Sequence, residues 1–185
     1  MSDKILDEIK TRLKQAEDYW QENYQRGVED KEFVTVEGAQ WGLHEVQKRK
    51  DDGKPSLEFN MCRAYCRQQI NTQRQNRPQA KVVPVDNGAD ADKANLIEGL
   101  IKDTEEATDA ESAYDTAAEN AVYGGLGFYR LVTDYVSDTS FNQEPKFMPV
   151  QNPHAVYIDP LSRALDGSDM TWAIVGDWVR DRKST

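Results

Sequence analysis

The sequence predicts an α+β fold, with N-terminal amphipathic helices followed by a small, mainly antiparallel sheet. Three observations predict it. Apolar residues recur at three- and four-residue spacings through the first two thirds of the 185 residues. After Gly124 and Gly125 the pattern turns to period two. The glycines stand between the last helical stretch and the first strand-like one. Helical periodicity followed by alternation, without interleaving, points to segregated helices and strands rather than a parallel α/β sheet. Helix is expected over residues 1–123 and strand over 124–178, within a chain of single-domain size.

Leu6, Ile9, Leu13, Ala16 and Trp20 form the first apolar stripe. It predicts a helix over about residues 3–25, ended by Gly27. Docking on its own domain and packing on a neighbouring subunit both fit such a helix. Trp41, Leu43 and Val46 predict a second, short helix ending near Asp51, Asp52 and Gly53. Pro55 and Ser56 introduce a third, from about Leu57 to Asn76, with Cys62, Tyr65, Cys66, Gln69 and Ile70 as its stripe and Pro78 as its stop. Residues 80–85 read as a strand that Pro84 confines to an edge or an end.

Asp90 is placed to cap the next helix, whose stripe is Ala94, Ile97, Leu100 and Ile101. The acidic stretch 103–109 predicts a kink or break. A further helix follows, with Ala110, Ala113, Tyr114, Ala117, Ala121 and Val122 facing inward, small enough for close helix packing. Residues 124–135 read GGLGFYRLVTDY. A phosphate-gripping loop requires a strand feeding glycines that open a helix. Here the order is reversed, so these glycines read as a helix stop and tight turn. Residues 137–143 read as a hairpin tip, 146–150 as the return strand, and 155–158 and 171–178 as two more strands joined by a polar loop.

Composition excludes several functions. Hydrophobic residues make up 38% and charged residues 30%, and the net charge is −10. An acidic chain does not hold a polyphosphate backbone by counterion release, which disfavours general DNA binding and suits a surface along which DNA slides. No apolar run of about 18 residues is present to span a membrane, and MSDKILDEIK lacks the apolar core of a signal peptide. Cys62 and Cys66 stand alone, which fits a reducing cytoplasm. The end, WVRDRKST, reads as the start of another amphipathic pattern, so the gene product is expected to continue.

No constellation for catalysis stands out. His44 and His154 are far apart and unaccompanied, and read as surface or hydrogen-bonding residues. No nucleophile elbow, Walker loop or His-Glu-x-x-His occurs. Asp159, Asp166 and Asp169 share a loop but not the alternating spacing of a calcium loop, and read as solvated turn carboxylates. Glu144, Pro145 and Lys146 are too slight for a metal-dependent nuclease. Arg63, Arg67, Arg74 and Arg77 form the one basic cluster, the first three close to one helix face. Internal ion pairs, pairs across a subunit interface, and phosphate contact all fit them. The −10 background and the lack of interleaved aromatics disfavour the last.

Several segments, in order, carry a resemblance. They are Gln40-Trp41, Gln75-Asn76-Arg77-Pro78, Val82-Val83-Pro84, the helix reaching Ala121, the run GLGFYRLVTDY from Gly125 to Tyr135, Asn152-Pro153 and Asp159-Pro160. Together they span roughly residues 20–178. The set resembles the portal proteins of tailed bacteriophages, and specifically the N-terminal part of those of short-tailed phages. That resemblance implies a homo-oligomeric ring of twelve subunits at one capsid vertex, in the virion and, during assembly, in the host cytoplasm. It implies docking of the terminase during genome packaging, binding of capsid and of tail or head-completion proteins, and passage of double-stranded DNA without tight binding. It implies a structural protein with no catalytic centre and no cofactor. Residues 1–185 then constitute a single wing-like region of a longer protein, ahead of the stem, clip and barrel.

A ring closes by one repeated rotation, so each subunit presents two different complementary patches. Trp20 and Tyr24 on the first helix, and Arg63, Arg67, Arg74 and Arg77 on the third, are the candidate interface residues. The alternatives are a small cytoplasmic adaptor protein that forms no ring, and a metal-dependent nuclease using Asp159.

Overall fold

The computed structural model describes residues 2–77, 79–84, 90–137, 139–164 and 167–177. Pro78, Val85 and Asp166, and the C-terminal residues from Trp178 onward, lie outside them, as do the expectations resting on those residues. The elements are α1 (Ser2–Thr35), α2 (Leu43–Asp51), α3 (Met61–Gln75), α4 (Ala91–Ala107), α5 (Ala110–Gly124), β1 (Tyr129–Tyr135), β2 (Gln143–Pro149), a 3-10 turn (Pro153–Ala155), β3 (Val156–Ile158) and β4 (Ala173–Val175). The fold is α+β, as the sequence predicts. The strands form two separate antiparallel ribbons, β1–β2 and β3–β4, rather than one sheet. Tyr129 pairs with Pro149 and Tyr135 with Gln143 in the first, and Val156 with Val175 in the second.

The first helix does not stop at Gly27. It continues to Thr35, and Gly27 is buried inside it. The reason is tertiary. A Cβ at Gly27 would lie 2.8 Å from the Gly124 carbonyl oxygen, and one at Gly124 would lie 3.2 Å from the Gly27 carbonyl oxygen. The glycine that costs helix propensity, about 1 kcal/mol, permits backbone-to-backbone crossing of α1 on α5. Ala16, Gly27 and Val34 line the buried face, with Leu13, Trp20 and Tyr24 half-buried. Leu6 and Ile9, at the N-terminal end of the predicted stripe, remain exposed.

The third helix begins four residues later than predicted. The Leu57 carbonyl accepts from Trp41 Nε1 at 3.2 Å, and the Pro55 carbonyl from Arg49, so neither enters a helical ladder. Asn60 is the cap: its Oδ1 accepts from the Arg63 N–H at 2.9 Å, and its Nδ2 donates to the Val34 carbonyl at 2.8 Å. One side chain thereby starts α3 and fastens it to α1. Of the predicted stripe, Ile70 is buried with Val34 and Tyr123, and Cys66 packs against that cluster. Tyr65 and Cys62 face out.

Residues 80–84 do not form the predicted strand. Both ribbons are complete without them, and Pro84 lacks the donor a ladder needs. Asp90 caps α4 as expected, accepting from the Asp92 N–H at 2.9 Å. The inner side of α4 carries Ala94 and Ile101, while Ile97 and Leu100, predicted to face inward, are exposed. The predicted break comes at Thr108 and Asp109, the latter in the left-handed region at φ 51°, which Asp tolerates better than most residues.

On α5, Ala110, Ala113 and Ala117 are buried as predicted, but Ala121 and Val122 face out, and Asn120 and Tyr123 take their place. Asn120 Oδ1 accepts from Lys31 Nζ at 3.3 Å, and its Nδ2 donates to the Gln151 carbonyl at 3.4 Å. A buried amide joins α1, α5 and the segment after β2, a role that counting apolar residues does not reveal.

The glycine run is a helix stop and turn. Gly125, at φ 81°, donates its N–H to the Ala121 carbonyl at 3.0 Å, the left-handed helix end that glycine favours. Gly127 has a different role. A Cβ there would lie 1.8 Å from the Ala117 carbonyl oxygen, so the chain entering β1 lies directly on the α5 backbone. Tyr114, Tyr129 and Phe147 then seal the hairpin against α5, with ring centroids 5.0–6.2 Å apart.

The loop after β3 is organised by two carboxylates. Asp159 is not a solvated turn carboxylate: it is 3% exposed. It accepts from the Thr171 hydroxyl and from the Leu161 N–H at 3.0 Å. Asp169 accepts from Ser162 Oγ and the Arg163 N–H, both at 2.7 Å. These donors hold both carboxyls below their ordinary value of 3.8, the Thr171 hydroxyl contributing most at Asp159 and the Arg163 N–H most at Asp169.

Two predictions follow from these contacts. Gly127→Ala should lower stability by about 3 kcal/mol because backbone must move, and Gly125→Ala by about 1 kcal/mol through the left-handed conformation alone. Urea midpoints that fall equally for both variants would contradict this assignment. Because Asp159 and Asp169 are depressed in the folded state, their contribution is fully present above pH 3.8 and is lost as pH falls through their lowered values. Asp159→Asn should destabilise the chain at neutral pH and flatten the loss of stability between about pH 5 and about pH 2, read from urea midpoints across that range.

Candidate functional site

Trp20 and Tyr24 lie one turn apart on the buried side of α1. Trp20 Nε1 donates to the Ile158 carbonyl at 3.2 Å, and the Tyr24 hydroxyl donates to the Val156 carbonyl. Their rings stack with centroids 6.3 Å apart, and Tyr24 meets His154 and Tyr157 edge-on at 5.5 and 6.1 Å. Burial first, and then Tyr157, push the Tyr24 hydroxyl up to about 12, so it stays protonated and donates. Both aromatics therefore fix the β3–β4 ribbon to α1 within the subunit. His154 is pushed below its ordinary value of 6.5, by burial first and then by Lys31, and its neutral ring serves as packing surface. His44 is exposed on α2. Among the described residues no group of three His, Cys, Asp or Glu side chains is arranged to hold a metal ion.

The arginines form a ladder along the edge of α3 that faces α5. Arg77 pairs with Glu111 and with Asp115, the latter at 3.0 Å. Arg74 pairs with Asp115 at 3.2 Å and Glu119 at 3.6 Å. The helices run antiparallel, so each step toward the start of α3 is a step toward the end of α5. There the acids stop, because α5 continues as Asn120, Ala121, Val122, Tyr123 and Gly124. Arg67 consequently has no carboxylate opposite it; it is exposed and, among the described residues, without an ion pair. Arg63 is half-buried beside Thr35, Glu58 and Asn60, lining a cavity of about 290 Å³. The structure thus separates the four arginines into two that brace α3 on α5 and two that remain available.

This ladder belongs to a wider charge segregation. Residues 43–77 carry eight Lys or Arg against four Asp or Glu, although the whole chain carries 23 against 33. The α4–α5 elbow is the acidic counterpart, with Asp103, Glu105, Glu106, Asp109 and Glu111 close in sequence. Net charge alone conceals this arrangement, and a windowed count along the sequence exposes it.

The apolar surface is equally uneven. Ile5, Leu6 and Ile9 on α1, Leu96, Ile97 and Leu100 on α4, Met61 and Tyr65 on α3, and Phe141 at the hairpin tip are all exposed. Sequence reasoning found α1 and the arginines as interface candidates. It missed the outer face of α4 by assigning Ile97 and Leu100 to the interior. The signal was present: Leu96 and Leu100 lie four residues apart, on the side opposite Ala94 and Ile101.

Among the described residues no helix is long and apolar enough to cross a membrane. The family model for phage P22-like portal proteins matches residues 10–184. The chain is similar to the portal protein of Acyrthosiphon pisum secondary endosymbiont phage 1, at 30% identity over 155 residues, covering 79% of this chain and 21% of that protein. It spans about a fifth of the length of that relative. With the family match covering almost the whole chain, and the GLGFYRLVTDY run and its preceding helix inside it, this chain belongs to the P22-like phage portal protein family.

Proposed function

We propose that the chain is the N-terminal, wing-like region of a portal subunit, residues 1–185 acting as one unit of a longer protein. In this reading it takes part in a homo-oligomeric ring, of twelve subunits, at the capsid vertex through which DNA enters and leaves. The ring docks the terminase during packaging, joins capsid to tail or head-completion proteins, and lets DNA pass without gripping it. It functions in the virion, after assembly in the host cytoplasm, and as a structural element rather than an enzyme.

The observation that carries the proposal is how little of the chain is closed. Its accessible surface is 14,987 Å², against the about 9,000 Å² that a folded monomer of 21.1 kDa exposes. Among the described residues no large side chain is fully buried. A chain with this much accessible surface, and with Leu43, Leu100 and Phe141 exposed, completes its core against further polypeptide, its own or another's. Membership of a portal family supports further copies of this chain as one of them. The acidic surface supports passage of DNA, because a like-charged wall repels the phosphate backbone.

Within this reading Arg63 and Arg67 contribute cationic side chains to a neighbouring subunit. Trp20, Tyr24, Arg74 and Arg77 set the shape of the surface from inside. Negative-stain electron microscopy of the gene product as encoded, beside the light-scattering mass of the 185-residue chain, tests the ring. Rings with a central hole support it, and compact particles without a hole replace it with the adaptor reading. Arg67→Glu should raise the concentration needed for assembly about tenfold, equivalent to about 1.4 kcal/mol, while leaving the subunit's melting temperature unchanged. Arg74→Glu should lower that melting temperature, because it leaves Asp115 and Glu119 facing a third carboxylate. Assembly unchanged by Arg67→Glu would remove the assigned role of that residue.

A further inference from the structure

We infer that the outer edge of β1 is a strand-addition site, filled by an extended segment of the same polypeptide from beyond residue 185. The inference rests on the reading of residues 1–185 as one region of a longer portal subunit, and deepens it by naming where the later chain attaches.

The register of the hairpin decides which backbone groups are free. Val136 donates its N–H to the Asn142 carbonyl at 3.0 Å. Antiparallel pairing alternates along a strand. Arg130, Val132 and Asp134 therefore turn their N–H and C=O groups toward β2, opposite Met148, Lys146 and Glu144. Tyr129, Leu131, Thr133 and Tyr135 turn theirs away from it. The Tyr135 N–H is taken by the Asp134 carboxylate at 2.9 Å. Those of Tyr129, Leu131 and Thr133 have no hydrogen-bond partner among the described residues.

The other edge of the ribbon is closed. By the same alternation Pro145, Phe147 and Pro149 face outward on β2. The two prolines have no N–H to offer, and the Phe147 N–H donates to the Thr108 hydroxyl at 3.4 Å. Prolines and covered donors are how sheet edges are protected from further pairing, and β1 carries neither. Tyr129, Leu131 and Tyr135 are also exposed on one face of β1. A third strand continues that face and sets its own alternate apolar side chains beside them. It also turns a two-stranded ribbon, marginal by itself, into a sheet.

A second copy of this chain would have to bring an open edge of its own. β1 against β1 is a self-complementary contact, which closes a pair and not a ring. β2 is closed by its prolines. β3 is closed by Trp20 and Tyr24, which donate to the Ile158 and Val156 carbonyls. β4 is three residues long, against seven in β1. Among the described residues the chain thus holds no strand of matching length to give to a neighbour. The rest of the polypeptide can supply one. The chain spans about a fifth of the length of its portal relative. Its path after β4 runs to Asp177, whose carboxylate lies 3.7 Å from the Arg130 guanidinium on β1. A segment tethered to the same molecule pairs at an effective concentration that a free partner does not reach.

The test is hydrogen exchange of the gene product as encoded, read amide by amide by fragmentation mass spectrometry, on dilute unassembled subunits and on assembled rings. The expected result is that the Tyr129, Leu131 and Thr133 amides are as protected as the ladder amides of Arg130 and Val132, in subunits and rings alike. Protection confined to rings assigns the edge to a neighbouring copy and overturns the inference. Free exchange of these amides in a product longer than 185 residues also overturns it and leaves the portal reading intact. A product that ends at Thr185 overturns the longer-subunit reading itself. Thr133→Pro then separates strand pairing from mere cover, because it deletes one outward donor and none of the β1–β2 ladder. Tyr129 and Leu131 should exchange about tenfold faster, the effect of one lost hydrogen bond, while Val132 keeps its protection. Unchanged exchange at Tyr129 and Leu131 overturns the inference. Where Val132 loses its protection with them the hairpin itself has opened, and the exchange of the unsubstituted subunit decides.

Discussion

The close approach of other chain segments to the backbone of α5 is the constraint on which the rest of this structure depends. α1 crosses it where Gly27 faces Gly124, and the chain entering β1 lies on the Ala117 carbonyl through Gly127. Neither approach leaves space for a Cβ. Close packing at these points allows a chain with few large core residues to gain dispersion contacts from backbone atoms. It also explains why three of the five buried positions of α5 are alanines. Ala110, Ala113 and Ala117 keep neighbouring elements near, and Tyr123 at the far end fills the wider gap beside Val34 and Ile70. The aromatic seam of Tyr114, Tyr129 and Phe147 completes the attachment of the hairpin.

Polar groups specify what this thin core leaves open. Asn120 ties α1 to the segment after β2, Asn60 ties α1 to the start of α3, and Asp159 and Asp169 shape the loop between β3 and β4. A buried polar group costs free energy unless it is satisfied, so each of these contacts selects one arrangement over near alternatives. The arginine ladder works differently. Its pairs are partly exposed, and such pairs contribute little each to stability. Their consequence is spatial: using the acids of α5 on Arg74 and Arg77 leaves Arg67 without an ion pair among the described residues.

A chain folded in this way leaves apolar surface unenclosed, with Leu43, Leu96, Leu100 and Phe141 exposed. Under the portal proposal, assembly covers that surface. Under the same proposal, charge segregation on an acidic chain lets one region attract another without making the whole molecule adhere to nucleic acid.

The sequence by itself determined the fold class, the existence of the five α-helices of the described residues, the Asp90 cap, the break before α5, the helix-stop glycines and the hairpin they introduce. Those features are local. Periodicity, capping chemistry and glycine's tolerance of positive φ act over a few residues and are readable from spacing. The family resemblance was readable for the same reason, in the ordered run from Gly125 to Tyr135. Tertiary structure alone decided that Gly27 lies inside a helix, that Asn120 replaces Ala121 as the buried residue of its turn, and that residues 80–84 do not form a strand. It also decided that Leu100 faces outward and that, of four similar arginines, Arg63 and Arg67 have no ion pair among the described residues. Each depends on which other segment lies opposite, and a side chain's partner across 30 or 130 residues leaves no mark in its immediate neighbours.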